Sequence, residues 1–134
     1  MRILLDTHVL LWAVGSSRRL EPTTTDALSD PANDVLFSAA SIWEIAIKYG
    51  RRRSDFDFAP DDILRGALTM GFVELPITAK TAATIAALPP VHRDPFDRLL
   101  VAQAIAEPAV LYTADAQLLV YSDLVRQVGA GKRP

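Results

Sequence analysis

Residues 3–13 read Ile-Leu-Leu-Asp-Thr-His-Val-Leu-Leu-Trp-Ala. Ile3-Leu4-Leu5 is apolar without alternation and stops abruptly at Asp6-Thr7. A short unbroken apolar run bounded by polar residues suits a strand buried on both faces of a parallel sheet. His8 to Val14 then reads as a helix, with Leu11 and Val14 three apart, and it stops at Gly15. Strand, acid and helix in immediate succession form the unit from which the rest of the chain is read.

The unit recurs. A helical stretch over Thr24 to Leu28 leads to a second apolar run, Val35-Leu36-Phe37, which ends at Ser38. The helix that follows, Ala39 to Tyr49, places Ile42, Ile45, Ala46 and Tyr49 on one stripe, and Gly50 terminates it. Arg51 to Phe58 is polar and charged, the composition of a loop. Pro60 and Gly71 bracket a helix with Ile63, Ala67 and Met70 inward, and Phe72 to Leu75 is a third strand. Thr78 caps a helix to Leu88, ended by Pro89-Pro90, and Asp94-Pro95 opens another through Ile105. Val110-Leu111-Tyr112 is a fourth strand, Asp115 begins a short helix, and Leu124 to Val128 is a weak fifth strand. Strict alternation of strand and helix predicts the α/β class, with a parallel sheet covered by helices on both faces.

Composition narrows the function. The chain has 134 residues, the size of one ordinary domain, so one domain over 1–134 is expected. Half of the residues are apolar and 22% are charged, enough to bury a core. The net charge of −2 excludes a globally basic nucleic-acid coat protein, though not a local basic patch. The absence of cysteine excludes a disulfide scaffold, a thiolate zinc site and a cysteine nucleophile. No apolar run reaches the ~18 residues of a membrane helix, and charge interrupts the start too early for a signal peptide. A cytoplasmic protein without membrane partners is the expectation.

In an open α/β sheet, ligands bind beyond the carboxyl ends of the strands. Asp6 follows the first strand. Ser38 follows the second, with Glu44 about two turns into the next helix. Thr113 and Asp115 follow the fourth. Asp97 lies in the first turn of a helix that runs antiparallel to the sheet, so its start falls at the same edge. The layout thus gathers Asp6, Glu44, Asp97 and Asp115. Clustered carboxylates repel one another, and a hard divalent cation such as Mg2+ or Mn2+ relieves the repulsion. Such an ion polarises a phosphodiester and activates water. Each acid also has a purely structural reading. Ser41-Ile42-Trp43-Glu44 fits a capping box, Asp94-Pro95-Phe96-Asp97 fits an N-cap with proline at N1, and Asp6 and Asp115 can cap their own helices. Asp94 is read as a cap. The two readings overlap, because a helix N-terminus favours an anion.

The segments ILLDTHVLLWA (3–13), FSAASIWEIAIK (37–48), HRDPFDRLLVAQAI (92–105) and LYTADAQL (111–118) match a known pattern in order and spacing. The chain resembles the PIN domain, in particular the VapC ribonuclease toxins of bacterial toxin–antitoxin pairs. The resemblance implies a three-layer α/β/α sandwich with a central, mainly parallel sheet of about five strands. Carried over by position, the family's acidic, metal-holding site falls on Asp6, Glu44, Asp97 and Asp115, with Thr113 and Ser41 as accessory polar groups. It further implies Mg2+- or Mn2+-dependent endonucleolytic cleavage of RNA, a homodimer, and a cognate antitoxin laid along an apolar groove.

Other residues have weaker claims. Lys48, Arg51, Arg52 and Arg53 form a basic cluster that can grip RNA phosphates or simply solvate a helix end. Arg93 and Arg98 can do the same, or pair with Asp94 and Asp97. His8 and His92 lack metal-ligand spacing and are expected to make local contacts rather than act as general bases. Trp12 and Trp43 are expected to be partly buried packing residues, with a partner groove as the alternative. A phosphatase of the haloacid-dehalogenase type needs Asp-x-Asp, and Asp6-Thr7-His8 lacks the second acid. A phosphotransfer receiver needs an acidic pair and a late lysine, for which Lys132 in the tail is a poor candidate. A housekeeping RNA-processing nuclease without antitoxin, and a non-catalytic binding module whose acids only cap helices, remain as the other readings.

Overall fold

The structure is a computed structural model, and it describes residues 1–51, 58–90 and 94–129. In chain order the elements are β1 (Arg2–Leu5), α1 (Thr7–Gly15), α2 (Pro22–Ser29), β2 (Asp34–Ser38), α3 (Ala39–Gly50), α4 (Pro60–Thr69), β3 (Val73–Leu75), α5 (Ala79–Thr84), α6 (Pro95–Ala106), β4 (Val110–Thr113) and β5 (Val125–Gln127). Short 3-10 turns cover Ser17–Arg19, Ile85–Ala87 and Ala116–Tyr121.

The strands form one all-parallel sheet in the order β3-β2-β1-β4-β5. The apolar run that opens the chain is its centre. Leu5 pairs with Phe37 on one side and Tyr112 on the other. Side chains alternate across a strand, so the run must bury both faces. Ile3 and Leu5 join Val35, Phe37 and Tyr112 against Val9 and Leu10 of α1 and Ile63 and Ala67 of α4. Leu4 joins Leu36 and Leu111 against Leu100, Val101 and Ala104 of α6 and Leu118 of the last 3-10 turn. Two apolar clusters separated by one sheet make the three-layer α/β/α sandwich expected from the alternation.

Helix ends follow local chemistry. Helix α4 stops where Gly71 takes a positive φ of 87°. Its N–H donates to Leu68 O at 3.0 Å, and the Phe72 N–H donates to Ala67 O at 3.0 Å, a Schellman closure. Helix α5 is shorter than the expected span to Leu88. The chain tightens into a 3-10 turn at Ile85, and Leu88 is extended (φ −74°, ψ 141°). A residue before proline is driven out of helical geometry, and Pro89 supplies the reason.

Three expected burials differ. On α3 the buried residues are Ala40, Ser41, Glu44 and Ile45, while Ala46 and Tyr49 are exposed. Counting apolar residues misplaced this face, because two polar side chains that satisfy each other's neighbours lie inside it. Met70 is half exposed, since it sits past the last turn of α4 as its C-cap. Trp43 is 60% exposed and packs edge-on to Phe96 at 5.2 Å, whereas Trp12 is partly buried against the α1 side of the core. Among the described residues no helix is long and apolar enough to cross a membrane.

Candidate active site at the strand-order switch

The chain leaves central β1 for β2 on one side and later returns to β4 on the other. Helices therefore diverge from the carboxyl ends of β1 and β4, and a crevice opens there. Asp6 is the first residue beyond β1, and Thr113 is the last of β4. The Asp6 N–H donates to Tyr112 O at 2.9 Å, which joins the two strand ends at the crevice floor.

Asp6 is buried and held from three directions. Its Oδ1 accepts the Val9 N–H at 2.8 Å, so it caps α1. Its Oδ2 accepts the Thr113 hydroxyl at 2.5 Å and the Ala114 N–H at 3.1 Å. Burial pushes its carboxyl above the ordinary value. The Thr113 hydroxyl, the two backbone donors and the charge of nearby His8 oppose that rise without cancelling it. Thr113 also accepts the Asp115 N–H at 3.0 Å, which ties the loop after β4 to Asp6. Asp115 in turn caps the final 3-10 turn by accepting the Gln117 N–H at 2.9 Å.

Glu44 reaches the crevice from α3, whose N-cap is Ser38: the Ser38 Oγ accepts the Ala40 N–H at 3.0 Å. The expected capping box at Ser41 is therefore not formed, because the helix begins one turn earlier. Ser41 and Glu44 face Thr7 instead. The Thr7 hydroxyl donates to Glu44 Oε1 at 2.6 Å and lies 3.0 Å from Ser41 Oγ. Lys48, one turn further along α3, donates to Glu44 Oε2 at 2.8 Å. Asp94 caps α6 by accepting the Phe96 N–H at 2.9 Å, with Pro95 at N1 and Asp97 in the first turn, as its sequence suggested.

These elements enclose a cavity of about 580 Å³. Asp6, Glu44, Asp97 and Asp115 all line it, together with Asp94 and Lys48. Thr7, His8, Trp12 and Gln127 complete much of the wall. His8 is exposed at the rim, its ring 6.1 Å from that of Trp12. Thr113 and Ser41 stand behind the wall, fully buried, in the hydrogen-bond network just described. Of the basic candidates, Lys48 alone among the described residues contributes to the wall. Arg51 is exposed at the end of α3. Arg98 donates to the carbonyls of Ile85 (3.1 Å), Pro89 (3.2 Å) and Leu88 (3.4 Å), closing the turn after α5. Arg52, Arg53, Arg93 and His92 lie outside the described residues.

Two contributors escaped the sequence reading. Thr7 stands in the sequence only as the polar end of a strand, and nothing local reveals a partner in α3. Gln103 is buried in α6 and accepts the Ser38 hydroxyl at 2.5 Å, bracing the start of α3 against α6. Its signal was present, as the lone polar residue of the run 99–105.

The donor set is all oxygen, from carboxylates and hydroxyls, which suits a hard divalent cation. Among the described residues no group of three or more His, Asp or Glu side chains is drawn together tightly enough to cage an ion. Magnesium does not need such a cage, because it keeps several waters and uses one or two carboxylates plus substrate oxygens. The residues fit an open, water-rich site.

A parallel α/β/α sandwich with an acidic cavity at its strand-order switch defines the class of protein to which this chain belongs. The model of the PIN domain matches residues 3–124, and the chain is a member of the PIN domain family. A solved structure, the VapBC2 complex of Rickettsia felis bound to a DNA fragment from its promoter, contains a chain of similar fold. The TM-score is 0.66 at 16% identity, over 96% of this chain and 99% of that one. No curated protein matches the chain in sequence.

Proposed function

We propose that the protein is a metal-dependent endoribonuclease acting as the toxin of a toxin–antitoxin pair. The observation that carries this reading is the convergence of Asp6, Glu44, Asp97 and Asp115 on one cavity of a PIN-domain sheet. The fold shared with a chain of a toxin–antitoxin complex supports a cognate antitoxin as partner, and a homodimer is what the family resemblance implies.

Asp6, Asp97 and Asp115 would hold Mg2+ or Mn2+. The bound ion supplies Lewis acidity at the scissile phosphodiester and an activated water nucleophile. The chain's own part is preorganisation. Thr113 and the amides of Val9 and Ala114 lock Asp6 so that its carboxylate does not have to reorient. Thr113 carries that order to Asp115 through the Asp115 N–H. Asp94 and Pro95 set the first turn of α6, and with it Asp97. Asp6, Asp94 and Asp115 each cap a helical turn at the cavity, so backbone N–H dipoles offset part of the acidic charge.

The test is cleavage of total cellular RNA by the purified protein with Mg2+, with Mn2+ and with chelator, beside Asp6→Asn. Discrete fragments that require metal and vanish in the variant are expected. Folded, partner-free protein that cuts no RNA under any of these conditions would refute the nuclease reading. Growth arrest on expression, relieved by an adjacent small reading frame, separates a toxin from a housekeeping nuclease.

A further inference from the structure

Within this reading, Glu44 has both oxygens engaged by side chains. Oε1 accepts the Thr7 hydroxyl at 2.6 Å, and Oε2 accepts the Lys48 ammonium at 2.8 Å. A divalent cation on Oε2 would sit beside the Lys48 ammonium and be repelled by it. The Lys48 side chain is 30% exposed and forms part of the cavity wall. A hydroxyl has one proton, so with Thr7 donating to Glu44 the Ser41 hydroxyl is the donor in the 3.0 Å contact with Thr7. The chain Ser41, Thr7, Glu44, Lys48 thus runs from the buried junction of α1 and α3 to an ammonium in an otherwise acidic cavity.

We infer that Glu44 is a positioning residue rather than a cation ligand, and that it holds the Lys48 ammonium in the cavity as the contact for a substrate phosphate. An acidic cavity repels a polyanion, and a fixed cation within it gives one phosphate a favourable landing point. Glu44 keeps that cation from collapsing onto Asp6, Asp97 or Asp115, where it would compete with the divalent ion. The inference rests on the nuclease reading and concerns how the site divides its labour.

Removing Glu44 alone would leave an unbalanced ammonium beside the cation site, so the informative variant removes both charges. Mn2+ binding is titrated calorimetrically for wild type, Asp6→Asn, Lys48→Met and the double variant Glu44→Gln/Lys48→Met. Gln at 44 keeps an acceptor for Thr7, and Met at 48 keeps the apolar stem, so the fold is not put at risk. The double variant is expected to bind Mn2+ within about threefold of wild type, because the two charges removed are opposite and 2.8 Å apart, so their effects on the ion largely cancel. Asp6→Asn is expected to bind at least about tenfold more weakly. RNA cleavage supplies the second measurement. Lys48→Met should lower kcat/KM, and the slope of log kcat/KM against log salt should fall by about 0.7, the share of one phosphate contact on a single strand. Lys48→Arg should keep that slope. A double variant that loses Mn2+ as Asp6→Asn does makes Glu44 a ligand and overturns the inference alone. An unchanged salt slope in Lys48→Met overturns the phosphate role. Wild-type protein that neither takes up Mn2+ nor cuts RNA overturns the nuclease reading and this inference with it.

Discussion

Replacing Thr7 by Val tests the network behind the site without reference to catalysis. Valine has nearly the same volume, so packing is conserved, but the donor to Glu44 is lost and a methyl group is placed against its carboxylate. Thr7 is 4% exposed, so the hydroxyl is lost from a largely buried position. The lost bond is short, at 2.6 Å, and charge-assisted. Hydrogen bonds to charged groups contribute about 1.5–3 kcal/mol, and the abandoned acceptor brings its own desolvation cost. The expected loss is therefore about 2–4 kcal/mol. At this chain length that corresponds to a fall in Tm of roughly 6–15 °C. The assay is urea unfolding at neutral pH in chelator, comparing midpoints at constant m. Thr7→Ser keeps the hydroxyl and should lose only about 1 kcal/mol, for one buried methyl. In a double-mutant cycle with Glu44→Leu, which removes the acceptor, the coupling between positions 7 and 44 should exceed about 1 kcal/mol. A Thr7→Val protein within about 0.5 kcal/mol of wild type, inside the range of an inconsequential surface change, would refute the reasoning.

Other outcomes follow from neighbouring features. Burial raises the folded-state pKa of Asp6, so the native state holds that proton more tightly than the unfolded chain. The Asp6 contribution to stability is then fully present below the ordinary carboxylate range, about pH 4, and is lost as pH rises through the raised value. Measured in chelator, the Tm of Asp6→Asn minus that of wild type should increase with pH over this window. A flat difference would show that burial does not govern Asp6. A Cβ on Gly66 would meet Val14 Cγ1 at 2.3 Å where α4 crosses α1. Gly66→Ala should therefore destabilise by about 1–2 kcal/mol in urea despite its better helix propensity. Gly50, with nothing within 4 Å, should gain up to about 1 kcal/mol when changed to Ala. Arg98→Ala removes three donors to carbonyls of the turn after α5, and about 1 kcal/mol is the expected cost, with faster amide exchange confined to 79–90.

Much of this architecture can be read along the chain because it depends on neighbours in sequence. Ile3-Leu4-Leu5 is apolar on consecutive positions, and only a strand covered on both faces tolerates that. Asp94-Pro95 and Asp115 announce helical starts through side chains that reach a backbone N–H two residues on. Gly71 marks the end of α4 because the closure needs a positive φ. The acids after β1 and β4, and Asp97 in the first turn of α6, likewise fall at one edge once the strands are taken as parallel.

What remained out of reach depends on contacts between residues far apart in sequence. The strand order 3-2-1-4-5 puts the ends of β1 and β4 side by side, and no local pattern encodes which strands are neighbours. Hydrophobic periodicity misplaces the buried face of α3, because it scores Ser41 and Glu44 as polar and turns them outward. Tertiary structure turns them inward, because Thr7, 34 and 37 residues away, pairs with both, and Lys48 neutralises the carboxylate. From sequence Arg98 can grip an RNA phosphate or pair with Asp94 or Asp97, yet folding aims it at carbonyls of the preceding turn. A polar side chain's direction is decided by whichever partner offsets its desolvation, and that partner exists only once the chain has folded.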